Sequence, residues 1–550
     1  MSPTGNPHAE APNEVNRGSS ANPFALVFKS LGLLLFSAGV TAVADYKLHL
    51  GVVPSVISGL SIFGVGVFSM MKLRGSPREM GITFGLKVFS VTAYKILNFM
   101  LTMWLIHDLG FKDETAGLLI MIWGLFMTTA TLVSGSLTDV LGLRRTLFLG
   151  VGICAATRLV MALTTNRFLA LGCGLFPLAV GEALCTPVLV AAMRLYSKPS
   201  QRTVAFSLFY GLMNFGFMFG YFISDGVMGK LHPGQLLRVP LLDAHITAYG
   251  VLIAVSMCAD LLMIPLISFL KTGVQMTEHG YVELPRIGDD TPAEPGVWNG
   301  TRHAIGKAAR DTLKTLVSLF KSDGFTKLVV FLLMIGLLKI VFNLMDYLLN
   351  PFAMREIGAD AVSRIGRLNA TNSIMILVLA PLVGMLTRKR ASYSMVILGG
   401  FITAASFVFM CLPPAFFKGL ADGWLGHAIG NEYLGIVGAV HPYFVMIFLW
   451  QVVFSIGEAF YSPRVYEYAA SIAPPGQEAS YSSLSYVPLL IGKISTGLAF
   501  AGLLNRYCPE HGPRNSGMMW LIIGLMVLVA PVGLLTLQRF IRVKEEGRDE

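Results

Sequence analysis

Apolar runs of twenty or so residues, separated by short polar or basic junctions, recur along most of the chain. A stretch of about 20 apolar residues is what an α-helix needs to cross a bilayer. The pattern predicts about fourteen such helices, at 24–45, 51–72, 83–107, 115–138, 145–163, 168–196, 203–224, 245–270, 325–350, 368–387, 393–412, 441–471, 480–504 and 516–538. Residues 1–22 are rich in Pro, Asn, Ser and Gly and read as a disordered tail. The first apolar run is too long and too late for a cleaved signal peptide and is expected to stay in the mature protein.

Two connections break the rhythm. The longer, 271–323, carries Asp289, Asp290, Pro292, Pro295 and Gly296 in a first half that reads as flexible linker. Its second half sets Ile305, Ala309, Leu313, Leu316 and Phe320 on one helical face. That predicts an amphipathic helix on the inner leaflet or packed under the helical body. The other connection, 413–440, is expected outside the cell.

Composition agrees with the pattern. Only 13% of residues are charged, against about 25% in soluble domains, too few to coat a water-soluble body of this size. The net charge of +10 does not point to nucleic acid, because the basic residues sit beside apolar runs. Basic clusters follow alternate runs: Lys72, Arg74 and Arg78; Arg144 and Arg145; Arg194, Lys198 and Arg202; Arg388, Lys389 and Arg390; Arg539, Arg542 and Lys544. The positive-inside rule makes that side cytoplasmic, with both termini, in a cell inner (plasma) membrane. Arg355, Arg364 and Arg367 dilute the contrast from the other side. The six cysteines have neither metal-site nor disulfide spacing, and no enzyme motif is present; no cofactor or metal is expected.

A repeat divides the chain. Gly181-Glu182-Ala183 with Pro187 matches Gly457-Glu458-Ala459 with Pro463. At the same offset Pro199, Gln201, Ser207, Leu208 and Tyr210 match Pro475, Gln477, Ser483, Leu484 and Tyr486. Lys95-Ile96 and Lys339-Ile340 form a weaker echo. Transporters are often built from such repeats. The expected division is a tail at 1–22, two extra helices at 23–75, a six-helix bundle at 83–270, a linker at 271–323, a second six-helix bundle at 324–540 and a tail at 541–550. The two extra helices are expected outside the solute path, available for oligomerisation or a partner.

The stretch Gly135-Ser-Leu-Thr-Asp139-Val-Leu-Gly142-Leu-Arg144-Arg145 resembles the signature loop of the major facilitator superfamily, G-x-x-x-D-x-x-G-x-R-R/K. Gly142 suits a tight turn, and Asp139 is placed to cap the next helix or to pair near a gate. Two further stretches resemble the proton-coupled oligopeptide transporters: Phe206-Ser-Leu-Phe209-Tyr210 with Asn214 and Gly216, and Gly457-Glu458 with Ser462-Pro463 and Ala473-Pro474. The resemblance implies an all-α membrane protein of the major facilitator fold that works by alternating access, with Glu458 binding an amino terminus. The family's E-x-x-E-R motif is missing; Gly85-Leu86-Lys87-Val88 stands there, and Thr186 replaces an expected lysine. Lys95 lies close to where the family has an arginine for the substrate carboxylate.

Ionisable residues at bilayer depth cost about 2.5–3.5 kcal/mol or more and mark candidate sites. Substrate contacts are expected from Lys95, Tyr210, Asn214, Lys339, Asn343, Asp346, Glu458 and Tyr486, with a structural ion pair as the alternative for Lys339 and Asp346. Glu182 and Glu458 are candidates for proton coupling, though Glu182 is equally suited to holding a neighbouring helix through Arg158. Arg464 and Glu467, one turn apart, are candidates for a gate. The expected partners are a small polar or zwitterionic solute, protons and lipids. A multidrug or amphiphile exporter of the same superfamily, and a non-transporting receptor or lipid scramblase, remain open.

Overall fold

The computed structural model describes residues 76–198, 202–231, 236–239, 244–277, 280–283, 323–387, 390–471 and 500–541, with scattered positions at 37–67 and at 492 and 494. The terminal tails and the amphipathic helix expected at 305–320 lie outside the described residues; so do most of the runs expected at 24–45, 51–72 and 480–504.

The long described helices are α1 (Arg78–Met103), α2 (Asp113–Leu141), α3 (Leu143–Leu163), α4 (Phe176–Tyr196), α5 (Arg202–Met228), α6 (Ala248–Ser268), α7 (Asp323–Tyr347), α8 (Val362–Leu386), α9 (Ser392–Ser406), α10 (Pro442–Ser471) and α11 (Ser516–Thr536). Among the described residues, ten spans are long and apolar enough to cross a membrane, and they include every one of these helices except α5. Helical backbone bonding suits a lipid-facing segment, although Pro187, Pro265, Pro463 and Pro531 each interrupt it inside a helix. Helix boundaries follow local chemistry. Gly142, at φ 77, closes α2 and opens α3 in a conformation that favours glycine. The Thr247 side chain accepts from Gly250 N at 2.9 Å to cap α6.

Helices α1–α6 pack among themselves through α1 against α5 and α6, α3 against α4 and α6, and α2 against α4. In the later group α9 packs on α10 and α11, and α7 on α11. The groups meet where α5 crosses α8 and α1 crosses α7. Two glycine crossings repeat across them. A Cβ on Gly181 would lie 3.0 Å from Gly150 O, and one on Gly457 would lie 2.7 Å from Gly399 O. The matching Gly-Glu sequences thus sit at matching close approaches of α3–α4 and α9–α10.

Asp139 lies inside α2, and Gly142 is the residue that precedes α3. Two expectations need correction. The start of the 271–323 connection is ordered: β3 (Val274–Met276) pairs antiparallel with β4 (Tyr281–Glu283), just as β1 (Leu236–Val239) pairs with β2 (Ala244–Thr247) between α5 and α6. Tyr281 fastens this second hairpin by donating its hydroxyl to Glu79 on α1, under the Lys271 ammonium 4.5 Å from its ring centroid. Burial, then that hydrogen bond, raises the Tyr281 pKa above its ordinary value. The second is the Lys95–Lys339 echo. Gly216 of α5 and Gly492 stand at the repeat's offset. Gly216 meets Val88 and Thr92, whereas Gly492 meets Lys339 and Asn343. By these contacts Lys339 is equivalent to Val88, and Lys95 to Asp346.

Candidate functional site

Helices α1 and α7 cross near their C-terminal ends, and the charges of both point into the crossing. Lys95 Nζ pairs with Asp346 Oδ2 at 2.8 Å, and Tyr221 of α5 donates its hydroxyl to Asp346 Oδ1 at 2.8 Å. The ammonium also lies 4.4 Å from the Phe217 ring centroid and 5.0 Å from that of Tyr221. One turn onward, Tyr347 donates to the Asn98 side chain, and Asn350 Nδ2 donates to Phe99 O at 2.6 Å. Arg355, in a short helix after α7 (Leu349–Glu356), reaches Asp113 at the start of α2 at 2.5 Å. Arg367 of α8 pairs with Asp225 of α5. Gly366 lets those two helices approach, since a Cβ there would be 2.7 Å from Tyr221 O.

Among the described residues, these three ion pairs join the two groups, and all lie at one end: the end where α1, α5 and α7 finish and α2 and α8 begin. All six side chains are at least nine-tenths shielded. Buried charges persist only when paired, so this end is closed by contacts that must be broken together.

Deeper in the bundle, on α7 and α10, a second arrangement leaves its charges apart. Glu458, 2% exposed, accepts from Asn372 Nδ2 of α8 at 2.8 Å, and Asn372 also donates to Ser455 Oγ at 3.0 Å. Lys339 donates to Ser462 Oγ at 3.0 Å and lies 4.5 Å from the Phe342 ring centroid. The fields of Lys339 and Lys95 both reach Glu458, yet neither lysine is within ion-pair range of it. Asn343 Nδ2, one turn from Lys339, has no hydrogen-bond partner among the described residues. The polar residues along α7 and the short helix after it therefore divide: Asp346 and Asn350 bind the opposite group, while Lys339 and Asn343 face α10 and Gly492.

The other expected residues separate from this site. Glu182 of α4 and Asp260 of α6 both accept from Arg158 of α3, a fully buried cation, and the three form one triad. Tyr210 is half-buried against a small apolar cluster of Ile376 and Val383 of α8 and Ala459 of α10; Asn214 Nδ2 donates back to Tyr210 O at 3.3 Å. Arg144 stacks 5.8 Å from the Phe148 ring centroid, and Arg145 is the third residue of α3. Arg464 donates to Thr387 Oγ1 at 2.9 Å and to Thr387 O at 3.1 Å, joining α10 to the end of α8. The helical positions of Gly135, Asp139 and Glu467 are described, but not their side chains; Tyr486 lies outside the described residues. Sequence reasoning missed Asp113, Tyr221, Asp225, Arg355, Arg367 and Asn372 as members of any site.

The model of the Major Facilitator Superfamily matches residues 83–437. A search of curated proteins finds no match. Among solved structures, the chain superposes on a peptide transporter POT in complex with sulfate with a TM-score of 0.61 at 16% identity, covering 85% of this chain and 96% of that one. A POT family transporter in complex with 5-aminolevulinic acid gives 0.60 at 16% identity, covering 86% and 98%. An auto inhibited POT family peptide transporter gives 0.59 at 16% identity, covering 86% and 99%. At these identities the superpositions speak for the fold, whereas the family model spans more than half of the sequence. The chain belongs to the Major Facilitator Superfamily.

Proposed function

We propose that the protein is a secondary transporter that carries a small polar or zwitterionic solute, peptide-like or derived from amino acids, together with protons by alternating access. One observation carries this reading: Glu458 is buried within the fields of Lys95 and Lys339 without touching either, while Asp346 occupies Lys95. A solute carboxylate competes with Asp346 for Lys95 and is assisted by Lys339 and by Asn343 Nδ2, which has no hydrogen-bond partner among the described residues. Its ammonium takes Glu458 in place of the Asn372 amide. The solute thereby exchanges a contact between the halves for contacts with itself, the differential interaction that a ligand needs to shift a conformational equilibrium. Glu458 is the proton site in this reading: protonated, it still offers its carbonyl oxygen to the solute ammonium, and it gives up the proton after the solute has left. Glu182 is held by Arg158 and serves the frame of the first bundle.

Under the orientation drawn from the basic junctions, the locked end faces away from the cytoplasm, and both termini are cytoplasmic. The solved relatives in complex with 5-aminolevulinic acid and with alafosfalin support starting with amino-acid derivatives and peptide mimics. The test is uptake into proteoliposomes under an imposed pH gradient, with such a panel alongside amphiphilic drugs. Gradient-driven uptake of a zwitterion, lost in Glu458→Gln and weakened at least tenfold in Lys95→Ala, is expected. Flux of amphiphilic drugs alone, or a zwitterion that binds wild type and both variants equally, overturns the reading.

A further inference from the structure

The segment between α9 and α10 is built, not loose. It runs through three short helical pieces, Pro414–Phe417, Lys418–Ala421 and Trp424–Gly426, and a wide turn at His427–Tyr433. Its inner side is packed. Phe417, Ala421, Ile429 and Leu434 are buried, with Phe417 6.3 Å from the Phe409 ring. Gly426 lies so close to Ala421 O that a Cβ has no room. Its outer side is apolar as well: Phe416 is 73% exposed, Leu420 42% and Trp424 79%. These three stand on successive pieces of the segment, all on its exposed side.

We propose that this face is a bilayer anchor, seated at the boundary between lipid headgroups and acyl chains. The apolar phase within reach is the bilayer itself. The segment leaves the span Ser392–Cys411 without a linker and re-enters at the span Pro442–Val465. The exposed apolar surface of the first span, Val408 and Leu412, runs directly into it. Aromatic side chains with an apolar body favour that boundary. Lys418, Asp422 and His427 are exposed on the same segment, available to water and headgroups.

The same segment holds the lock between the halves. Tyr433 donates its hydroxyl to Arg367 O at 2.7 Å and accepts at its own carbonyl from Arg367 Nη1 at 3.4 Å, while Arg367 Nε pairs with Asp225. Lipid contact on one side and the Arg367–Asp225 pair on the other are therefore connected through the ten residues from Trp424 to Tyr433. The anchor fixes the height of that pair relative to the membrane.

The test isolates Trp424 fluorescence as the difference between wild type and Trp424→Phe, both reconstituted in vesicles containing lipids with a nitroxide near the headgroup or at mid-chain. The expected difference signal is quenched by the shallow nitroxide and less by the deep one. Phe416→Ser with Leu420→Ser should reduce that quenching about twofold or more. A difference signal untouched by either lipid overturns the proposal. Aqueous iodide then tells whether the face lies in water, where iodide quenches it, or under protein such as a second copy, where it does not.

Discussion

At the scale of single residues, the buried charges fall into groups with opposite consequences. Arg158 holds Glu182 and Asp260 together, so its removal strands two carboxylates in the first bundle. Breaking a buried pair from one side typically costs about 3–5 kcal/mol. Arg158→Met is expected to lower the thermal midpoint of the purified protein far more than Glu182→Gln, which leaves Arg158 its second partner. Nearly equal losses would show that the triad is not what holds α3, α4 and α6. Glu182→Gln should also keep gradient-driven uptake, in contrast to Glu458→Gln. The residues of these sites were legible one at a time, because each is costly at bilayer depth. Their partners were not: Lys95 and Asp346 are 251 positions apart, and no local pattern connects them. The Lys95–Lys339 echo failed for a specific reason. The register taken from the sequence differs by seven residues from the one the contacts give. Seven residues are nearly two helical turns, and a slip of two turns leaves the polar face unchanged. Asp225 was missed because the apolar run was expected to end at 224, one residue before it.

At the scale of elements, length and hydrophobicity placed the helices well. The run expected at 145–163, for example, is α3, which begins two residues earlier, and the run expected at 441–471 is α10. A helix that must cross hydrocarbon cannot shift far without exposing polar groups, so its ends are tightly specified. The two hairpins escaped notice because strands of three or four residues leave almost no periodic signal. The repeat predicted matching helices, and the glycine crossings give that match a mechanical test. Gly457 is the tighter site, with a would-be Cβ 2.7 Å from Gly399 O and 2.8 Å from Thr403 N; at Gly181 the corresponding backbone distances are 3.0 Å. Overpacking of this kind costs about 1–3 kcal/mol. Gly457→Ala should therefore lower the thermal midpoint more than Gly181→Ala, as followed by tryptophan fluorescence in detergent. The reverse order would mean that α9–α10 yields more easily than α3–α4.

At the scale of the whole molecule, transport requires the locked end to open, and three buried ion pairs oppose that together. In the open arrangement water reaches the same side chains, so a neutralised partner is penalised mainly in the closed one. If loss of one partner costs the closed state about 3–5 kcal/mol, the closed-to-open ratio falls by more than a hundredfold, since about 5.5 kcal/mol moves an equilibrium from 1:99 to 99:1. Asp225→Asn should therefore populate the open arrangement strongly. Replacing both partners, as in Asp225→Leu with Arg367→Met, should shift it much less, because no charge is left unpaired. Spin labels at the exposed positions Lys112, before α2, and Ala359, before α8, report the separation of the two halves at this end. With the native cysteines replaced, pulsed dipolar distances should lengthen in Asp225→Asn and return toward wild type in the double variant. If the single variant keeps the wild-type distance distribution, the three pairs do not hold this end shut. The closure would then rest on the apolar crossings of α5 with α8 and α1 with α7.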